Sequence, residues 1–506
     1  MNDNVLPMHL EPVQNLIELQ LIVFCAAVAT ARCLGYRLTP RGDPPQHIRE
    51  RRVPPWQRRL ESRISKKRVA IARLIAYRNG IRTSKLCRHV DVIIAPTELR
   101  MLGTHQLTEI LDTLVQQLSV LSKRLRRYTD SAKRRQQNRM FSDNERAFYD
   151  QISHEKPDYS DGLPDIGDVT NFWAGIWETP AQHREVQPWL RREEEWAGEE
   201  IDQMPAVNVE TNDVREATRY LRNWAAPGPD GVQNVWYKKL TVVHPTMAVC
   251  FNKALREPRI LPDFATRGAT ILLPKDNNTS DPSKYRPITC LSSLYKILST
   301  IITTYVSAHC EQNGILTEEQ KGCKKNTHGC KDQAIIDAVI VGQAVDNQRN
   351  LSMAYIDYQK AYDSIPHSFL VKVLEMYKVD PVVVRFLRHA MDKWMTTLQL
   401  NGGKDVLRSR TLCSRRGIFQ GDSFSPFWFC LALNPLSRTL NRNGHGYLIR
   451  YGNGAPEEVT HTFFMDDLKI YADSTERLGV AISLVDKVSG DIGMKFGLEK
   501  CRSVSC

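Results

Sequence analysis

The sequence predicts an α+β body preceded by a basic, mainly helical extension, and three observations predict it. After Asp213, short apolar β-prone runs alternate with helical patterns to the last residue. At 506 residues and 57.9 kDa the chain is too long for one compact core, so several domains are expected. Charge is also divided unevenly. Residues 1–150 hold 27 Lys and Arg against 14 Asp and Glu, a net of +13, while the whole chain carries only +12. A basic third on a near-neutral body suggests a phosphate-binding appendage.

Composition narrows the class. Hydrophobic residues make up 42% and charged residues 25%, ordinary for a globular protein, with no internal repeat. The twelve cysteines form no CxxC pair, which fits neither a zinc site nor a secreted disulfide framework, and Cys323, His328 and Cys330 lack a second ligand pair. Reduced thiols imply an intracellular protein of the nucleus and cytoplasm. The apolar run Leu19–Ala31 is short for a bilayer span and follows no Lys or Arg, so it reads as a buried helix rather than a membrane contact.

Within the extension (1–150), residues 40–68 form a basic, proline-containing linker. From Leu107 the positions Ile110, Leu111, Leu114, Val115, Leu118, Leu121 and Leu125 recur at helical spacing. Overlapping the end of this helix come Lys123, Arg124, Arg126, Arg127, Lys133, Arg134, Arg135 and Arg139 with only Asp130 opposing, which suits contact with RNA or DNA backbone without sequence readout. The alternative is a solvated helix face. Residues 151–212 are Trp- and Pro-rich and read as a connector.

Four segments carry chemistry. In Thr462–Ala472 two β-prone runs flank Met465-Asp466-Asp467, a hairpin with adjacent carboxylates at its tip. A turn alone would also favour aspartate. In Ser352–Asp363 an apolar strand ends at Asp357 and a helical pattern follows; the position also permits a helix N-cap. A strand-end carboxylate beside a carboxylate pair suits two Mg²⁺ ions, which clamp the attacking and leaving oxygens of a phosphoryl displacement. Arg415–Pro426 is a glycine-bearing loop before a buried-looking helix: Gly417 and Gly421 admit close approach of a ligand, and Gln420 suits the floor beneath a nucleotide. Ala269–Lys275 and Lys284–Thr289 read as a hairpin presenting Lys275 and Arg286, cations able to clamp a triphosphate.

In this order the segments resemble the reverse transcriptases of non-LTR (LINE-type) retrotransposons, from about Trp173 to Cys506. Ala226-Pro227-Gly228-Pro229-Asp230-Gly231 looks like that family's N-terminal block, and Gly493–Lys500 like its last palm motif. The resemblance implies a right-hand polymerase, with fingers and N-terminal palm over 213–350 and an antiparallel catalytic palm over 351–506. It implies catalytic, metal-holding carboxylates at Asp357, Asp466 and Asp467, with two Mg²⁺ or substituting Mn²⁺. Nucleotide contacts would fall to Lys275, Arg286, Tyr362, Gln420 and Gly421, and Lys500 becomes the candidate proton donor to pyrophosphate. The implied partners are an RNA template, a DNA primer or target, and dNTPs. Met465 departs from the small residue usual in the family and is similar to retroviral enzymes. No thumb or endonuclease is read in the sequence, so a truncated frame is expected, with uncertain activity for this chain alone. A viral RNA-dependent RNA polymerase typically has Gly-Asp-Asp and no bulky aromatic five residues past the first aspartate, so Met465 and Tyr362 favour DNA synthesis. A non-enzymatic nucleic-acid-binding protein is the third class, disfavoured by the intact carboxylates.

Overall fold

The computed structural model describes residues 2–35, 54–94, 104–143, 163–275, 278–325, 327–402, 405–450 and 455–505. They divide into two units, Met1–Leu38 with Tyr159–Cys506, and Thr39–Asp158, so the basic extension expected over 1–150 is shared between both.

In the smaller unit, helices Pro55–Arg78, Ser84–Ile94 and Thr104–Asp143 pack through the apolar stripe read from the sequence. Leu107 and Leu111 bury against Leu74, Val90 and Ile94, and further along Leu121 meets Leu60 and Ile64. Pro55 occupies the first helical turn, where its missing N–H costs nothing. The 40 residues of the longest helix span about 60 Å at 1.5 Å per residue, and the basic stretch belongs to this helix.

In the larger unit, helix Leu16–Cys33 is capped by the Asn15 side chain, which accepts from the N–H groups of Ile17 and Glu18. At 18 residues it is long and apolar enough, by length and composition, to cross a membrane. The helix runs beyond the apolar stretch Leu19–Ala31 by Leu16–Glu18 at one end and Arg32-Cys33 at the other. Only one face is buried, through Leu16, Leu19, Val23 and Ala26; Ile17, Leu21 and Phe24 are exposed.

Ten strands are described, in chain order β1 (Arg267–Pro274), β2 (Tyr285–Cys290), β3 (Ser352–Ile356), β4 (Met395–Gly402), β5 (Asp405–Cys413), β6 (Tyr447–Ile449), β7 (Glu457–Val459), β8 (His461–Phe464), β9 (Asp467–Ala472) and β10 (Arg502–Ser505). One sheet runs β2-β1-β4-β5, with β1 antiparallel to β2 but parallel to β4. The second runs β10-β3-β9-β8 and is antiparallel throughout, as expected for the palm. β6 and β7 form a separate ribbon. Beneath the second sheet, helix Ser425–Asn443 is buried along nearly its whole length, and helix Thr475–Ile492 packs on β9.

The Trp-rich segment is built into the body. Helix Ile166–Trp177 lays Trp173 and Trp177, rings 4.9 Å apart, on Leu272, Tyr285, Leu398 and Leu412 of the first sheet. On helix Pro188–Glu200, buried Trp189 donates its indole N–H to Asp491 at 3.0 Å.

Candidate active site

The pairing of β3 with β9 brings two carboxylates side by side. Ile356 lies opposite Leu468, so Asp357, one residue past β3, stands next to Asp467, the first residue of β9. The β8–β9 hairpin closes with Phe464 opposite Asp467, leaving Met465 and Asp466 as a two-residue tip. Asp357 caps no helix: the next one, Ala361–Ser364, starts after Lys360, whose φ of +49° breaks the chain direction. The Gly493–Lys500 segment folds back over Asp357. The Gly497 N–H donates to the Asp357 carbonyl at 2.7 Å, and Lys500 Nζ lies 3.5 Å from Asp357 Oδ2. A Cβ on Gly497 would stand 2.6 Å from that same oxygen, so a larger residue there would push the Asp357 carboxylate aside.

Burial, then the neighbouring carboxylates Asp467 and Asp357, push the Asp466 carboxyl above its usual range. Asp467 rises for the same reasons, burial first and Asp357 second, with Lys500 opposing. Among the described residues no group of three His, Cys, Asp or Glu side chains is spaced to cage a metal ion. The donor chemistry nonetheless fits a hard divalent cation: carboxylate oxygens only, their like charges crowded, beside an open cleft of about 420 Å³ that Asp357, Asp467 and Lys500 line. Mg²⁺ takes one or two protein carboxylates and fills its remaining positions with water and phosphate oxygens, so a preformed cage is not required.

A second cleft, of about 560 Å³, also borders Asp357 and is lined by Lys275, Lys284, Lys360, Arg416, Lys495 and Lys500. Lys275 extends the β1–β2 hairpin as expected, its N–H bonded to the Lys284 carbonyl at 2.8 Å. Burial and then the cations Lys500 and Arg286 depress its ammonium, so these three charges share one region; Arg286 also acts on Asp466. Lys360 is lowered to about 8, by burial and then Lys275. It donates to the Ser283 carbonyl at 2.6 Å and sits 4.6 Å from the centre of the Trp173 ring. Beneath these cations lies Asp363, buried, bonded to the Trp177 indole N–H at 3.1 Å and raised by that burial to about 6.

Tyr362 stacks on Phe429 at 4.5 Å and 14°, and its hydroxyl reaches the Met465 sulfur at 3.8 Å, which sets the ring beside the hairpin tip. Gln420 and Gly421 meet β2: the Gln420 carbonyl accepts from the Thr289 N–H at 2.8 Å, and Gly421, at φ +135°, lies where a Cβ would be 2.3 Å from the Thr289 carbonyl.

Residues 273–505 match the family described as "Reverse transcriptase (RNA-dependent DNA polymerase)". This region is a reverse transcriptase domain. The chain is similar to the Retrovirus-related Pol polyprotein from type-1 retrotransposable element R2 of Popillia japonica, 27% identical over 237 residues, 47% of this chain and 32% of that protein. It is similar to the corresponding polyprotein from type-2 retrotransposable element R2DM of Drosophila melanogaster, 26% identical over 280 residues, 55% of this chain and 25% of that protein. It also resembles the RNA-directed DNA polymerase from mobile element jockey of Drosophila funebris, 23% identical over 275 residues, 54% of this chain and 28% of that protein. The chain thus spans a third or less of the length of these curated relatives.

The reverse transcriptase domain therefore gathers Asp357, Asp466, Asp467, Lys500, Lys275 and Arg286 in one region, with Tyr362 at the hairpin tip and Gln420 and Gly421 against β2. The basic helix belongs to the other unit. There Lys123, Arg124, Arg126, Arg127, Arg134 and Arg135 are exposed, while the side chains of Lys133 and Arg139 lie outside the described residues. Lys360, Asp363, Arg416 and Lys495 were not read as site residues. Asp363 carried a signal, a second aspartate six residues past Asp357; Lys360 carried none, since its burial comes from Trp173, far away in sequence.

Asp363 makes stability depend on pH in a definite direction. Its folded pKa, about 6, exceeds the unfolded 3.8, so the folded form binds more protons between them and stability falls as pH rises through roughly 4 to 6. Asp363→Asn keeps an acceptor for Trp177 and should flatten that window, removing a loss of up to about 3 kcal/mol. Urea midpoints from pH 4 to 7 measure it; equal slopes in both proteins would rule out a raised Asp363.

Proposed function

We propose that this chain carries the RNA-directed DNA polymerase of a non-LTR retrotransposon, adding dNTPs to a primer 3′-hydroxyl on an RNA template. The observation that carries the reading is the placement of Asp357 beside Asp467, next to the hairpin tip that holds Asp466, bordering a carboxylate-lined and a cation-lined cleft. Asp357, Asp466 and Asp467 would hold two Mg²⁺, or Mn²⁺ in their place; when bound, these ions supply the clamp on the attacking and leaving oxygens. Lys275 and Arg286 bind the triphosphate, with Lys360 and Arg416 adding positive charge to the same cleft. Lys500 is placed to hand a proton to the departing pyrophosphate. Gln420 and Gly421 form the floor under the nucleotide. Residues 213–350 serve as fingers and N-terminal palm and 351–506 as catalytic palm, while the basic helix holds nucleic-acid backbone. An intracellular setting, nucleus and cytoplasm, accords with the free thiols among the described residues.

Asp466→Asn is expected to fold normally and to lose metal-dependent nucleotide addition by at least ~100-fold, because ligands of one metal cluster act as a unit. Primer extension with Mg²⁺ and Mn²⁺, read beside a circular-dichroism melt, decides it. Wild-type-like extension by the variant removes the assignment, and a wild-type chain that binds RNA yet adds nothing under either metal points to a non-enzymatic binder.

Tyr362, backed by Phe429, selects deoxyribose by crowding a 2′-hydroxyl. Tyr362→Val should raise relative ribonucleotide use by roughly 10–200-fold while dNTP addition survives. Matched dNTP and rNTP incorporation efficiencies measure this; loss of both together marks a core aromatic instead.

The exposed arginines of the basic helix should act through charge alone. Replacing Arg126, Arg127, Arg134 and Arg135 with Gln should weaken binding equally for unrelated RNAs and shrink the log–log salt slope by ~0.7 per lost contact. Filter binding over a salt series reads the slope, and no change would mean a merely solvated face.

A further inference from the structure

The hairpin tip that presents Asp466 has an unusual backbone. Met465 adopts φ +56°, the left-handed region that residues with side chains rarely enter. Such a conformation persists only where the surroundings impose it.

Tyr362, Cys430 and Cys323 touch the Met465 sulfur, but its backbone N–H and carbonyl are held by one side chain from 145 residues earlier. Gln320 is 3% exposed, and its amide closes on both polar groups of Met465. Oε1 accepts from the Met465 N–H at 3.1 Å, and Nε2 donates to the Met465 carbonyl at 3.3 Å. The same Oε1 accepts from the Gly322 N–H at 2.9 Å, which fixes the orientation of the amide. On either side the backbone is zipped to β8: the Phe463 N–H donates to the Glu319 carbonyl and the Lys321 N–H to the Phe463 carbonyl, both at 2.9 Å. Gly322 lies so close that a Cβ would stand 2.9 Å from both the Met465 nitrogen and Gln320 Oε1.

We propose that Gln320 is a positioning residue for the catalytic hairpin: its amide holds Met465 left-handed and thereby sets where the Asp466 and Asp467 carboxylates stand. Only an amide supplies the donor and the acceptor this tip needs in one planar group. Glutamate keeps the acceptor but turns the second bond into an oxygen–oxygen repulsion. A methionine of similar length would supply neither bond.

The inference rests on the polymerase reading of the site, and two measurements separate the fates of the two ideas. The first does not involve activity. Hydrogen exchange of the 461–468 segment should speed by ~10-fold or more in Gln320→Ala and Gln320→Glu, while the buried helix Ser425–Asn443 stays protected as in wild type. Unchanged exchange at the tip overturns the proposal, whatever the enzyme does. The second is steady-state primer extension. Both variants should lose kcat by roughly 10–100-fold, the scale expected for carboxylates displaced by about 1 Å, with dNTP KM within about threefold of wild type. Adding Met465→Gly to Gln320→Ala should recover part of kcat, because glycine takes positive φ without help. A double variant as slow as Gln320→Ala, or a kcat loss that follows the fraction unfolded, refutes positioning and leaves Gln320 a packing residue. Faster tip exchange in the Gln320 variants, beside a wild-type chain that adds no nucleotide, would instead retain the positioning of the hairpin and refute the polymerase reading.

Discussion

Three carboxylates brought together at one end of an antiparallel sheet repel one another, and the rest of the reverse transcriptase domain is arranged around that crowding. The register of β3 on β9 leaves Asp357 and Asp467 no freedom to separate, because sliding either strand by one residue would turn its apolar side chains to the wrong face. Relief has to come from outside the pair. Lys500 supplies charge at 3.5 Å, delivered by a segment that needs Gly497 to come so near. Arg286 reaches Asp466 from the β1–β2 hairpin, which ties that hairpin to the palm electrostatically. The same like-charge pressure makes the region attractive to a divalent cation.

The cations carry a complementary problem. Lys275, Lys360 and Arg416 share a cleft, and the depressed ammonium of Lys360 reflects both its burial and that company. Asp363 answers from below, and Trp177 holds it by an indole N–H. One aromatic segment thus acts on two charges at once, since Trp173 also faces Lys360. The helix Ile166–Trp177 is part of the site's foundation, although none of its residues carries the chemistry.

Much of this was legible in the sequence where the signal was local. The Met465-Asp466-Asp467 hairpin and the strand leading to Asp357 are each written within a dozen residues, and the β1–β2 hairpin within about two dozen, as apolar runs with a polar break. What the sequence hid was non-local. Nothing near Gln320 announces a partner at Met465, and nothing near Lys360 announces Trp173. The parallel pairing of β1 with β4 joins strands over a hundred residues apart, which periodicity cannot report. Asp357 was ambiguous between metal ligand and helix cap, and the left-handed turn at Lys360 that separates them is not written in residue type. Helix Leu16–Cys33 was legible as a helix but not as half-exposed, because its outward face is apolar too.

The order of strands in the second sheet has a kinetic side. β3 is buried at four of its five positions, yet its neighbours β9 and β10 lie more than 100 and nearly 150 residues further along the chain. At ~5–20 residues per second of synthesis, an apolar strand with both edges open waits for roughly 6–23 s before its first partner exists. Non-local pairings of this kind are also slow to close once the chain is made. Open edges invite pairing with other chains in the meantime. The most vulnerable interval in the life of this protein is therefore the time between making Asp357 and making the strand that will stand beside it.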